Sequence, residues 1–202
     1  MVNFKHFTAS FFPAVFIFSM PLYASEPFGI PMGASISSLP IDGNGTVVEE
    51  GLYKLQSVPS PSPYFSDYYA IGSPKAGVCM VGASSPVISD DYRETIPYLQ
   101  YLSQEITNSY GKIFLITNFE NIDELDSGNY SNVGKANFSS DDLIASFYLD
   151  ESVLLIGNSS NGNVTDFYLT SYQDSEQGYK IEVIYSYNNI QQCQTEMSDL
   201  YE

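Results

Sequence analysis

Few side chains in this sequence could carry out chemistry. His6 is the only histidine, and Cys79 and Cys193 are the only cysteines. Carboxylates are abundant, with 24 Asp and Glu against 7 Lys and Arg and a formal net charge of −17. Two acid pairs stand out, Asp90-Asp91 and Asp141-Asp142. Paired carboxylates can serve a hydrolase or hold calcium. Each pair also precedes a predicted helix, where a carboxylate accepts orphan backbone N–H groups and complements the helix dipole. The structural role is the expected one. Asp42-Gly43-Asn44-Gly45-Thr46 resembles the start of a calcium loop, but Val47 stands where the invariant glycine belongs and Tyr53 where the bidentate glutamate belongs. It reads as a turn. Serine chemistry lacks the G-x-S-x-G elbow that would expose a nucleophile. No phosphate-binding glycine loop occurs either. The sequence implies no catalytic residue, no metal and no cofactor.

The fate of His6 depends on the leading segment. Lys5 supplies a positive start, Phe11 to Tyr23 is a mostly apolar run, and Ala24 is a small residue before Ser25. That order predicts a signal peptide over residues 1–24. The run is shorter than the roughly 17–25 residues that span a bilayer, and Pro13 and Pro21 interrupt it. Cleavage would leave 6 bases against 24 acids, a net charge of −18, and no histidine. Triads, His-ligated zinc and imidazole proton shuttles are then excluded, which points away from an enzyme. The acidity disfavours nucleic acid and anionic lipid as partners and favours solubility. After cleavage no membrane insertion is expected. In an oxidising compartment Cys79 and Cys193 are expected to form a disulfide.

Tyrosine is the distinctive enrichment, 17 residues beside no tryptophan. Its apolar face and polar tip suit strands and interfaces. Tyr64, Phe65, Tyr68 and Tyr69 flank the proline run Pro59–Pro63 and form the candidate binding patch. The competing reading is a loop folded over a sheet edge. The polar stretch Asn118–Phe138 is a second candidate surface.

These residues need a scaffold. Alternation predicts strands over 47–58 and 179–188, a continuous apolar run predicts one over 153–157, apolar β-branched residues one over 112–116, and segments bounded by turn residues predict strands over 67–73, 78–83 and 164–172. Ile96, Leu99, Leu102, Ile106 and Tyr110 recur at helical spacing, with Thr95 as the expected N-cap, Pro97 in the first turn and Gly111 just past the end. Ser139-Ser140-Asp141-Asp142 is expected to cap a second helix to about Asp150, and 194–201 to form a third. The order predicts one α+β domain over residues 25–202. Its antiparallel sheet would come from two three-stranded meanders packed against two or more helices. Two similar halves joined near 112–138 are a further expectation.

Pro27-Phe28-Gly29-Ile30-Pro31-Met32-Gly33, Gly51-Leu52-Tyr53, Ser73-Pro74-Lys75-Ala76-Gly77-Val78-Cys79 and Ser109-Tyr110-Gly111-Lys112 together resemble a family of small exported bacterial proteins of unassigned function. The Asn189–Cys193 region is similar to a late cysteine in such proteins, whereas the second half lacks the tryptophans of that pattern. The resemblance implies export and adds no activity. The expected function is a non-catalytic binding or interaction module for a protein partner. The alternatives are an envelope hydrolase using paired carboxylates, a calcium-dependent protein, or a small secreted inhibitor. A periplasmic or secreted location is expected.

Overall fold

The computed structural model describes residues 26–42, 47–49, 51–116, 134–150, 153–159, 162–174 and 178–199. The leading segment expected to be a signal peptide, residues 43–46 and most of the 118–138 stretch lie outside the described residues. Among the described residues, nine strands form one sheet, antiparallel at every pairing. They are β1 (Val47–Glu49), β2 (Leu52–Leu55), β3 (Asp67–Ser73), β4 (Gly77–Ser84), β5 (Ile113–Ile116), β6 (Gly134–Lys135), β7 (Val153–Asn158), β8 (Val164–Gln173) and β9 (Tyr179–Tyr187). Three α-helices accompany them: α1 (Ile96–Ser109), α2 (Ser140–Asp150) and α3 (Ile190–Asp199).

The strand order is β1-β2-β3-β4-β9-β8-β7-β5-β6. The meanders β2-β3-β4 and β7-β8-β9 are both present, and β4 pairs with β9 to join them. The α+β architecture read from the sequence is therefore the one observed.

Two neighbouring rows of cross-strand partners define the sheet's two faces. One row runs Leu55, Tyr68, Ala83, Val183, Leu169, Leu155, Leu115 over seven strands. Every member is buried. The adjacent row, one residue away on each strand, runs Lys54, Tyr69, Gly82, Ile184, Tyr168, Ile156, Phe114 and points to the other side. The first face carries the main core, to which α1 contributes Ile96, Leu99, Leu102 and Ile106 and α2 contributes Leu143 and Phe147. The expected apolar stripe of α1 is thus its buried face.

The second face receives α3. A bulge in β4 makes this possible: Ile71 pairs with Met80 and Gly72 with Val78, leaving Cys79 as the extra residue. Val78 and Val81, three apart, both enter the main core, and Cys79 turns to the other side. There it forms the expected disulfide with Cys193, with Cα atoms 6.3 Å apart and the two residues 114 positions apart in sequence.

Four sequence expectations change in detail. Strand 47–58 is two strands, because Gly51 turns the chain at φ +81° and β1 folds back on β2. Thr95 is not a cap. It lies in helical conformation, buried, its hydroxyl donating to the Tyr92 carbonyl at 2.7 Å. A 3-10 turn at Tyr92–Thr95 precedes α1, and the Asp91 carboxylate caps it by accepting the Arg93 N–H at 3.0 Å. The third helix begins at Ile190 rather than 194, which places Ile190, Cys193 and Met197 on one stripe against β4. Finally, the end of the 118–138 stretch is an edge strand, β6, paired with β5.

The acid pairs take the structural role. Ser139 and Asp142 form a reciprocal capping box on α2: the Asp142 carboxylate accepts the Ser139 N–H at 2.8 Å, and the Asp142 N–H donates to the Ser139 hydroxyl at 3.3 Å. Lys135 pairs with the same carboxylate at 2.7 Å. With the Lys135 hydrogen bond first and the Ser139 bonds next, its pKa falls to about 2.

Candidate functional site

The sheet register decides what becomes of the four aromatic residues singled out in the sequence. Tyr68 and Tyr69 are consecutive on β3, so they point to opposite faces. Tyr68 is 7 % exposed and enters the main core. Its hydroxyl closes the proline loop, accepting the Ser62 N–H at 2.9 Å and lying 3.1 Å from the Ser62 carbonyl and 3.3 Å from that of Phe65. Tyr69 lies on the other face, where its hydroxyl donates to Glu182 Oε1 at 2.8 Å. Burial and the adjacent Glu182 carboxylate raise its pKa strongly, so this phenol stays neutral. The structure therefore does not gather the four rings into one patch.

Tyr64 and Phe65 do sit together, at the mouth of a different arrangement. With Pro63, Pro86, Val87, Ile88, Tyr98 and Leu102 they line a pocket of about 270 Å³. Two loops and a helix build it. The segment after the proline run supplies Pro63–Phe65. The extended stretch beyond β4 supplies Ser85–Ile88, and α1 supplies Tyr98 and Leu102. Ser85 fixes the second wall, because its N–H donates to the Ile181 carbonyl at 2.8 Å and its hydroxyl accepts the Ile181 N–H at 2.9 Å. Phe65 is buttressed by Phe28, whose ring meets it edge-on at 6.0 Å and also touches Tyr68 and Tyr185. Phe28 holds this position at φ +56°, a conformation unfavourable for an aromatic residue, and its three ring contacts offset that cost.

The rim is aromatic. Tyr64 packs against Tyr98 at 6.5 Å and Tyr101 at 5.2 Å between ring centroids. The neighbouring Tyr64 phenol and the Glu105 carboxylate raise the Tyr101 phenol above its ordinary pKa. The pocket lining contains no charged side chain. Among the described residues, the exposed large hydrophobic side chains are Val87, Tyr98 and Tyr101, at 37 %, 41 % and 46 %. Val87 and Tyr98 line this pocket, and Tyr101 stacks on its Tyr64 wall. Such an arrangement can seat an apolar or aromatic side chain and offer phenol hydroxyls to a peptide backbone.

Sequence reasoning found Tyr64 and Phe65 but missed Tyr98 and Tyr101. A signal was present: both lie off the Ile96-Leu99-Leu102-Ile106 stripe, so two large rings occupy the outward side of an otherwise polar helix. Pro86 and Val87 gave no such signal, since only the fold brings them opposite Tyr64.

A larger cleft, about 760 Å³, lies between α1, β5 and the start of α2. Most of its lining residues are polar, including Gln100, Gln104, Lys112 and Asp142, and it holds none of the exposed rings. Volume alone does not make it the better candidate; convergence of anchor side chains favours the aromatic pocket. Among the described residues, no group of three His, Cys, Asp or Glu side chains is placed to hold a metal ion. No helix among them is long and apolar enough to cross a membrane. Comparison with protein-family models, with curated proteins and with solved structures finds no match to this chain.

Proposed function

We propose that this is an exported, non-catalytic binding module that grips a protein partner through the pocket of Tyr64, Phe65, Tyr98 and Tyr101. One observation carries the reading: the exposed large hydrophobic side chains among the described residues converge on this pocket. Scattered exposed hydrophobics are ordinary, but a cluster of tyrosines around an uncharged hollow matches the composition of interface anchors. The occupant is an apolar or aromatic side chain on a basic partner, because a chain with net charge −17 steers cationic proteins toward itself. The leading sequence and the disulfide support export.

The test compares the full chain with its Tyr98→Ala/Tyr101→Ala variant as bait in an envelope extract, with both melting temperatures measured. The expected result is a basic protein retained by the parent, lost from the variant, and melting curves that nearly coincide. Identical retention by both baits, or retention by neither, would contradict the proposal.

A further inference from the structure

On the face opposite α1, a third cavity, of about 460 Å³, opens over β2, β3, β4, β8 and β9. We infer that it is a binding site for a neutral saccharide, independent of the aromatic pocket. The floor is the Tyr69 ring. A side chain at its cross-strand partner Gly82 would put Cβ 2.2 Å from that ring, so the phenol lies flat on the β4 backbone. Tyr69 is only half-buried, which leaves the ring's other face to the cavity. The bond from its hydroxyl to Glu182 Oε1 at 2.8 Å locks the ring plane, and the Ser84 hydroxyl approaches the same oxygen at 3.5 Å. A fixed, flat aromatic surface is what the C–H face of a sugar ring stacks on.

The polar groups around this floor suit hydroxyls rather than a net charge. Lys54 is paired with Asp67 at 2.7 Å, and Lys180 with Asp174 at 2.5 Å. The charged lining residues are Lys54, Lys180, Asp67 and Glu182, a balanced set in a chain carrying −17. A polyanion or polycation gains nothing there. A ligand rich in hydroxyls can donate to the carboxylates and accept from the ammonium groups without breaking either pair. Tyr172 lines one side of the cavity. The volume lies within the range of small-molecule sites.

Saturation-transfer NMR with chitotriose and maltotriose as probes, added at millimolar concentration to the full chain, tests this site. Transfer to the ring protons of at least one sugar is expected. Glu182→Gln, which keeps shape and removes the charge that tethers Tyr69, should weaken binding by about tenfold. Tyr69→Leu should abolish transfer, and the Tyr98→Ala control should leave it unchanged. Should Tyr69→Leu fail to fold, Glu182→Gln still decides the matter. Absence of transfer from both sugars, or transfer undiminished in Glu182→Gln, overturns the inference.

Discussion

Two rows of residues, one position apart on the same strands, differ in character across β2, β3, β4 and β9. The row through Leu55, Tyr68, Ala83 and Val183 is closed over by α1, α2 and the segment from Phe28 to Ile41, and every member is buried. The row through Lys54, Tyr69, Gly82 and Ile184 is mixed in polarity, and all but Gly82 of these four retain exposure. The pairing of β3 with β4 makes the contrast sharpest at two consecutive tyrosines. Tyr68 contributes by burial and by a hydroxyl satisfied on the backbone of its own loop. Tyr69 lies on Gly82 and reaches across β4 to a carboxylate on β9. The same pairing occurs in an apolar setting: Phe167 covers Gly157 as Tyr69 covers Gly82, but on the core side, where it is fully buried and needs no polar partner. One local motif therefore serves packing on one face and leaves a usable surface on the other.

The faces also differ in how their helices are fastened. Apolar burial holds α1, whereas α3 is pinned by specific bonds. Cys193 joins it to β4, and the Asn189 amide donates to the Ala76 and Val78 carbonyls at 3.0 and 3.1 Å. Glu196 accepts from the Ser73 hydroxyl and from the Ala76 N–H. Because of this contrast, Cys79→Ala/Cys193→Ala should have the largest effect on stability. For a loop of this length the loss is about 4–5 kcal/mol in the chain-entropy model, read as a fall in the denaturant midpoint. Leu99→Ala, on the other face, removes a fully buried side chain and should cost about 2–5 kcal/mol. A loss from the disulfide variant much below that from Leu99→Ala would break the contrast.

Smaller changes probe the two tyrosines. Tyr68→Phe strands backbone groups of the proline loop and should destabilise by about 1–2 kcal/mol in equilibrium unfolding. Tyr69→Phe keeps the ring over Gly82 and frees a carboxylate that water can solvate, so its cost should be the lesser. Equal losses would mean that the two rows are not distinct in the way described.

The weakest effect is expected from pH. Hydrogen bonds from Ser73, Gln192 and backbone N–H groups hold the Glu196 carboxyl below its ordinary pKa. Lys135 and Ser139 do the same for Asp142, at about 2. A depressed folded-state pKa gives stability that is present above the unfolded value and lost as pH falls through the folded one. The contribution of Asp142 should therefore persist above about pH 4 and disappear towards pH 2, with Glu196 losing its own within the same acid limb. Acid titration followed by circular dichroism should show that limb flattened in Ser139→Ala and Glu196→Gln.

Much of this scaffold was legible in the sequence. Alternation located β9, and turn residues bounding apolar segments located β3, β4, β7 and β8, to within one or two residues. The α1 stripe and the disulfide were equally readable. Thr95 misled because its hydroxyl is spent on a buried contact that only the fold creates. The bulge at Cys79 was invisible, since it depends on register between β3 and β4. The site was legible only in part. Tyr64 and Phe65 were found, but adjacency in sequence suggested that Tyr68 and Tyr69 would join them, and strand geometry sends those two to opposite faces. Pro86, Val87 and Tyr98 come from elements distant in sequence that meet only once α1 docks.

The most direct measurement of the proposed partner site maps contact by position. A photo-crosslinking amino acid is placed singly at Tyr98, at Tyr101 and, as controls, at Ile71 on the opposite face and at Gln194 on α3. Each variant is irradiated in the cells that make the protein. One protein adduct is expected, the same at Tyr98 and Tyr101, and none of it at Ile71 or Gln194. Equal adducts at all four positions, or none at Tyr98 and Tyr101, would contradict a partner held at the aromatic pocket.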